Sequence, residues 1–197
     1  MDQQLQTFLD DLYRSSREHD ERQADRLERW RNVEPDSARL LAVLVRALAP
    51  RRLLELGTSN AYSTIWLADA ARAVGGSLTT VEVDPARAWQ GRENLRRAGV
   101  EKLVEIRVED AGEVLRTSSD GEWDFVFLDA ERPAYAAYWP DLLRVLGSPG
   151  LLAVDNVLSH ADEVAEFRAL VAAEPRVAEA LAPTGGGVLL VTHDTRR

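Results

Sequence analysis

Cysteine is absent from the 197 residues, which excludes disulfides and thiolate metal sites together. Lysine is almost absent: Lys102 is the only one, so a lysine base elsewhere in the chain is also excluded. No apolar run approaches the length that spans a bilayer. The opening residues Met1-Asp2-Gln3-Gln4-Leu5 are polar and acidic. They lack the basic and apolar regions of a secretory signal, so a cytoplasmic protein is expected. A basic face is lacking as well. Net charge is −9, and the arginines of 18–31 and 87–97 are interspersed with acids, as on solvated helix faces. Phosphate contacts need clustered cations. Nucleic acid and membrane are therefore not expected as partners, and a small-molecule substrate is.

What is present reads as one globular domain over 1–197, with an N-terminal helical segment at 1–48 and an α/β core at 51–192. Residues 3–31 are polar and charge-rich with a narrow apolar stripe, which predicts a lid or contact helix. Pro35-Asp36-Ser37 opens a second helix over 38–48. Buried strands are predicted at 52–56, 77–83, 103–108, 123–129 and 151–154. Helices are predicted at 62–74, 85–98, 111–117, 134–146 and 162–173, and a terminal hairpin at 176–181 and 188–192. Strands that alternate with helices make an α/β, doubly wound, mostly parallel seven-stranded sheet. The hairpin adds antiparallel strands, and the extra helices lie at the N-terminus.

Ligands of such sheets bind beyond the carboxyl ends of the strands. Those ends read Glu55-Leu56-Gly57, Glu82-Val83-Asp84, Glu109-Asp110, Asp129 and Asp155-Asn156. Each carries an acid. A dinucleotide loop would be G-x-G-x-x-G, but only Gly57 matches in Gly57-Thr58-Ser59-Asn60-Ala61. A carboxylate at Glu55 would repel a diphosphate and attract the ammonium and sulfonium of S-adenosyl-methionine. Glu82 suits two ribose hydroxyls. An NAD-linked dehydrogenase is accordingly disfavoured. Asp129, Asp155 and Asn156 form a hard-oxygen set suited to Mg²⁺ or Ca²⁺. Capping of the strand and turn by Asp155 and Asn156 is the competing explanation.

Leu53-Leu54-Glu55-Leu56-Gly57-Thr58 with Ala61-Tyr62-Ser63-Thr64 resembles the first motif of class I S-adenosyl-methionine-dependent methyltransferases. The chain is most similar to the cation-dependent O-methyltransferases of the caffeoyl-CoA and catechol type. The likeness continues through Val81-Glu82-Val83-Asp84-Pro85, Glu109-Asp110-Ala111, Phe125-Val126-Phe127-Leu128-Asp129-Ala130 and Asp155-Asn156-Val157-Leu158. The resemblance implies a Rossmann-like methyltransferase fold, a homodimer and a hydroxylated small-molecule acceptor. It implies that Glu55, Gly57 and Ser63 hold the methionine part of the cofactor, with Val33 packed nearby. It places Glu82 on the ribose and Val83, Asp110 and Ala111 around the adenine. Asp129, beside the cofactor, would share a divalent metal with Asp155 and Asn156.

The chain departs from the pattern at two places. Where the family reads Asp-Ala-Asp-Lys and assigns the lysine as base, this sequence reads Asp129-Ala130-Glu131-Arg132. Arginine stays protonated in proteins, so Arg132 is expected to act electrostatically rather than as a base. Proton removal is then left to the metal alone, to Glu131 or to His160, or the acceptor needs none. His160 also reads as a plain surface turn residue. Ala61 stands where a glycine is usual, and its added methyl is tolerated if φ is negative there. Two readings stay open beside the metal-dependent enzyme: a metal-free methyltransferase in which Arg132 grips an anionic acceptor, and a non-catalytic cofactor-binding protein.

Overall fold

The structure is a computed structural model that describes residues 1–194. Its helices are α1 (Gln3–Arg22), α2 (Pro35–Leu48), α3 (Tyr62–Val74), α4 (Pro85–Arg97), α5 (Ala111–Thr117), α6 (Tyr135–Val145) and α7 (Ala165–Ala173). The strands are β1 (Arg52–Leu56), β2 (Ser77–Val81), β3 (Val104–Arg107), β4 (Trp123–Leu128), β5 (Leu146–Val154), β6 (Val177–Ala182) and β7 (Val188–His193). They form one sheet in the order β3-β2-β1-β4-β5-β7-β6. Strands β1 to β5 pair in parallel, and β7 runs antiparallel to both β5 and β6. The expected doubly wound sheet and terminal hairpin are both present. No helix among the described residues is long and apolar enough to cross a membrane.

Helices cover both faces of the central strands, so β1 and β4 read as continuous apolar runs. Side-chain alternation still decides which way each residue points. Leu53, Phe125 and Phe127 pack into the cluster under α1, α2 and α3. Leu54, Leu56, Val126 and Leu128 pack into the opposite cluster, under α6 and α7. Glu55 shares the face of Leu53, a placement that matters below.

Several element ends differ from expectation, each for a local reason. The helix predicted over 3–31 stops at Arg22. Asp20 turns its carboxylate back onto the N–H groups of Trp30 (2.7 Å) and Arg31 (2.9 Å), and Arg31 adopts φ +54°. A single 3₁₀ turn, Arg26–Glu28, is all that stays helical between α1 and α2. Strand β2 ends at Val81 rather than Val83, because Glu82 uses its carboxylate to close the following turn onto Asp84. Strand β5 starts earlier than predicted. Residues 147–150 form an irregularity inside it, between the pairs Trp123↔Leu146 and Phe125↔Leu151. Helix α7 starts at Ala165, because 157–164 are taken up by turns on the β5–α7 connection.

Candidate active site

The strand order reverses between β1 and β4, so a crevice opens at their carboxyl ends. A cleft of about 950 Å³ lies there. Gly57 sets how closely the two strand ends approach. Its φ is +105°, and a Cβ added to it would lie 2.2 Å from the carbonyl oxygen of Asp129. The loop that follows is pinned on several sides. The Asn60 amide donates to Ser16 Oγ (2.8 Å), and the Asn94 amide donates to the Asn60 carbonyl (2.9 Å). Ala61 does not meet the condition of a negative φ: its φ is +69°. Its N–H closes a turn onto Thr58 and its carbonyl starts α3, which fixes the left-handed geometry. Full burial of its methyl group offsets part of a conformational cost of roughly 1–2 kcal/mol.

Glu55 does not reach the cleft wall. It is fully buried and pairs in register with Thr80. Its carboxylate accepts hydrogen bonds from Ser63 (2.6 Å), Thr64 (2.5 Å) and Thr80 (2.7 Å). Only Ser63 of this set also lines the cleft, so Glu55 reaches the cleft only through Ser63. Burial pushes the Glu55 carboxyl up to about 7 against the pull of the three hydroxyls, with Glu82 adding to the rise. The folded protein thus binds this proton more tightly than the unfolded chain. The resulting stability is complete below the unfolded value of 4.5 and is lost as pH rises through about 7. It amounts to about 3 kcal/mol. Glu55→Gln is expected to remove that much of the fall in urea-unfolding stability between about pH 5 and about pH 8. Parallel curves for the two proteins would refute the assignment.

The other residues expected around the methyl donor do line the cleft: Val33, Gly57, Ser63, Glu82, Val83, Asp110, Ala111 and Asp129. Glu82 is fixed from two sides. One oxygen accepts from the Ser59 N–H (2.8 Å) and the other from the Asp84 N–H (3.0 Å). Each oxygen keeps a further lone pair for a ligand. Asp110 caps α5 through the Glu113 N–H (2.9 Å). Tyr138 also lines the cleft, whereas Tyr135 and Trp139 are buried behind it.

Residues 3–31, read as a lid or contact helix, cover this cleft with the second half of α1 and the segment that follows it. The segment between α1 and α2 crosses the strand ends and is tied down along its length. The Trp30 ring stands between His19 (5.1 Å) and the Arg87 guanidinium (5.8 Å). Arg87 also donates to the carbonyls of Leu27 and Arg29, and Ser59 donates to that of Trp30 (2.7 Å). Arg26 and Arg31 pair with Glu131 at 3.0 and 2.7 Å. These partners lie up to 105 residues apart, so only the fold brings them together.

Asp129 and Asp155 follow the paired ends Leu128 and Val154, as predicted. Asn156 Nδ2 donates to Asp129 Oδ1 (3.2 Å) and to Asp155 Oδ2 (3.1 Å). Asn156 adopts φ +66°, a conformation asparagine tolerates well. Burial raises both carboxyls above the usual range, and Asp155 raises Asp129 further. Asp155 Oδ1 is buried with no hydrogen-bond partner among the described residues. Among the described residues no group of three or more His, Cys, Asp or Glu is placed to hold a metal. Any cation here would therefore rest on the two carboxylates and the amide alone.

Arg132 lies beside this set. It is only 4% exposed and lines the cleft. Its Nε donates to Glu163 (3.0 Å). Partial burial works against ionisation of Glu131, but Arg31 and Arg26 overcome it and hold the carboxyl below its ordinary value. His160 lines the same end, with Nδ1 2.9 Å from Ser159 Oγ. Burial lowers its pKa, and Arg132 lowers it further. Lys102 sits in the 3₁₀ turn before β3 and is not among the residues that line the cleft.

The family described as O-methyltransferase matches residues 9–194. A catechol O-methyltransferase of Mycobacterium tuberculosis is 37% identical over 134 residues, covering 68% of this chain and 60% of that protein. A second, from Niastella koreensis, is 38% identical over 131 residues, covering 64% of this chain and 58% of that protein. The chain thus aligns with about three-fifths of the length of each. Among solved structures, an O-methyltransferase from Bacillus cereus in complex with SAH superimposes with a TM-score of 0.79 at 27% identity. That match covers 95% of this chain and 91% of the other. An O-methyltransferase from Streptomyces achromogenes involved in tomaymycin synthesis, in complex with SAM, gives 0.74 at 28% identity, over 98% and 90%.

Proposed function

The chain belongs to the O-methyltransferase family, and from that premise we propose that its cleft binds S-adenosyl-methionine and passes the methyl group to an oxygen acceptor. The acceptor is a small catechol-like or other vicinal-oxygen molecule. Glu82 carries this reading. Its carboxylate is held at the cleft wall by two backbone N–H groups, and its remaining lone pairs suit a ribose diol. A pyrophosphate in the same cleft would meet Glu82 and Asp129 without a glycine-rich cradle to receive it. The complexes of the Bacillus cereus and Streptomyces achromogenes relatives support the same reading.

Methyl transfer is an in-line displacement, so the protein's main work is alignment. Gly57, Ser63 and Val33 would hold the methionine portion, with Glu55 keeping Ser63 in place. Val83, Asp110 and Ala111 would border the adenine. Asp129, Asp155 and Asn156 would hold a divalent cation such as Mg²⁺ or Ca²⁺ if the Asn156 amide, whose Nδ2 here faces both carboxylates, turned its oxygen to them; the unpartnered Asp155 Oδ1 fits such a set. When bound, such a cation orients neighbouring oxygens and lowers the pKa of the reacting one. Arg132 would stabilise the negative charge on that oxygen.

The test is transfer itself. The protein is incubated with methyl-labelled S-adenosyl-methionine, Mg²⁺ and a panel of catechols. The expected result is label on an acceptor oxygen and equimolar S-adenosyl-homocysteine. Cofactor binding with no transfer to any member of the panel would overturn the enzymatic reading and leave a binding protein.

A further inference from the structure

We infer that Arg31 selects acceptors that carry a negatively charged substituent beside the oxygens to be methylated, which makes the cover over the cleft part of the acceptor site. The inference rests on the methyltransferase reading and names the class of acceptor within it.

The backbone at Arg31 carries the first observation. Its φ is +54°, a conformation that residues with side chains rarely adopt. Hydrogen bonds from two elements hold it there. Asp20 of α1 takes the N–H groups of Trp30 (2.7 Å) and Arg31 (2.9 Å) on its two carboxylate oxygens. Ser59, in the loop after β1, donates to the Trp30 carbonyl (2.7 Å). A strained residue that its surroundings fix so fully is one whose direction matters. Its side chain lines the cleft.

The second observation is what the guanidinium leaves unused. It is close enough to Asp129 and His160 for its charge to act on both, so it stands at the acceptor end. One terminal nitrogen donates to Glu131 (2.7 Å). The other has no hydrogen-bond partner among the described residues and is not sealed off. An open guanidinium donor suits a carboxylate better than a neutral group, because the bond is then assisted by charge on both sides.

The wall around Arg31 has the same sign. Arg26 and Arg132 stand beside it, and Glu131 and Glu163 pair with the three. Three guanidiniums against two carboxylates leave one positive charge in excess. Other acids nearby do not cancel it. Glu34 is turned to Tyr13 and to Arg17 (3.7 Å). Asp155, whose Oδ1 lacks a partner among the described residues, lines an adjoining cavity and not this one. The charges of Asp129 and Asp155 together are what a divalent cation would offset. An ammonium substituent would therefore be repelled at this wall, and a carboxylate would answer its excess.

The experiment compares 3,4-dihydroxyphenylacetate, 4-methylcatechol and dopamine, catechols that differ in the charge of one side group. With Mg²⁺ present, kcat/KM is expected to be about tenfold or more higher for the carboxylate than for the neutral compound, and lowest for the ammonium. In Arg31→Met the advantage of the carboxylate is expected to fall to about threefold or less, and Arg31→Lys should recover part of it. Each ratio is taken within one protein, so a smaller folded fraction cancels. Equal rates in the parent protein, or an order led by dopamine, would overturn the inference. An advantage that Arg31→Met leaves intact would overturn it as well. Calorimetric titration of the same compounds into protein saturated with S-adenosyl-homocysteine and Mg²⁺ reads the order without turnover, and the same order of affinity is expected. That order without methyl transfer would remove the enzymatic reading alone, whereas transfer without that order would remove only this inference.

Discussion

Gly57→Ala is expected to weaken S-adenosyl-methionine binding about 100-fold or more and to destabilise the fold by roughly 3 kcal/mol or more. The added Cβ would lie 2.2 Å from the Asp129 carbonyl oxygen and 2.8 Å from its carbon. Both clashing atoms are backbone, so no rotamer change relieves them. Relief requires the ends of β1 and β4 to separate, and those ends carry the loop on one side and Asp129 on the other. The positive φ of +105° adds its own cost for a residue with a side chain. Gly75→Ala is the control. Its φ is also positive, at +73°, but nothing lies within 4 Å of the added atom, so only a conformational cost of about 1 kcal/mol is expected. Calorimetric titration and urea unfolding of both variants check this. Equal cofactor affinity in Gly57→Ala and the parent would show that the cleft does not depend on this approach.

Arg132→Met is expected to lower kcat about 100- to 1000-fold, the usual loss when a donor to a developing oxyanion is removed. Cofactor affinity should stay within about threefold, because Arg132 lies at the acceptor end. The loss is not expected to come from unfolding. Glu163, its partner, keeps Arg26 and is itself partly exposed, so no buried charge is stranded. Arg132→Lys should recover part of the rate, since it returns the charge but not the planar fork. Steady-state rates with the variants decide this, and an unchanged kcat in Arg132→Met would remove Arg132 from the reaction.

Much of this architecture was legible because it obeys short-range rules. The runs at 52–56 and 123–128 are buried on both faces, so they read as continuous apolar strands. Gly57, Glu82, Asp129 and Asp155-Asn156 could be placed at one edge because every parallel strand must present its carboxyl end there. Glu55 shows where such reasoning stops. Its position at a strand end was plain, but alternation turns it toward α3 and away from the cleft. Ala61 shows the same limit for backbone. The turn onto Thr58 and the tight packing of the loop impose a left-handed φ that an alanine does not announce. The lid expected at 3–31 was legible as an element but not in its form. Asp20 breaks the predicted helix by bonding to backbone ten and eleven residues on, and the Arg26–Arg31–Glu131 group closes across more than a third of the chain. Charge alternation at 18–31 looks like an ordinary solvated helix face until those partners are known.

Calorimetric titration with S-adenosyl-methionine and, separately, with NAD tests the identity of the cleft most directly. Saturable one-to-one binding of S-adenosyl-methionine, with no heat from NAD, is the predicted result. Binding of NAD without binding of S-adenosyl-methionine would contradict the assignment of Glu82 and of the single-glycine loop, and the proposed chemistry would fall with it.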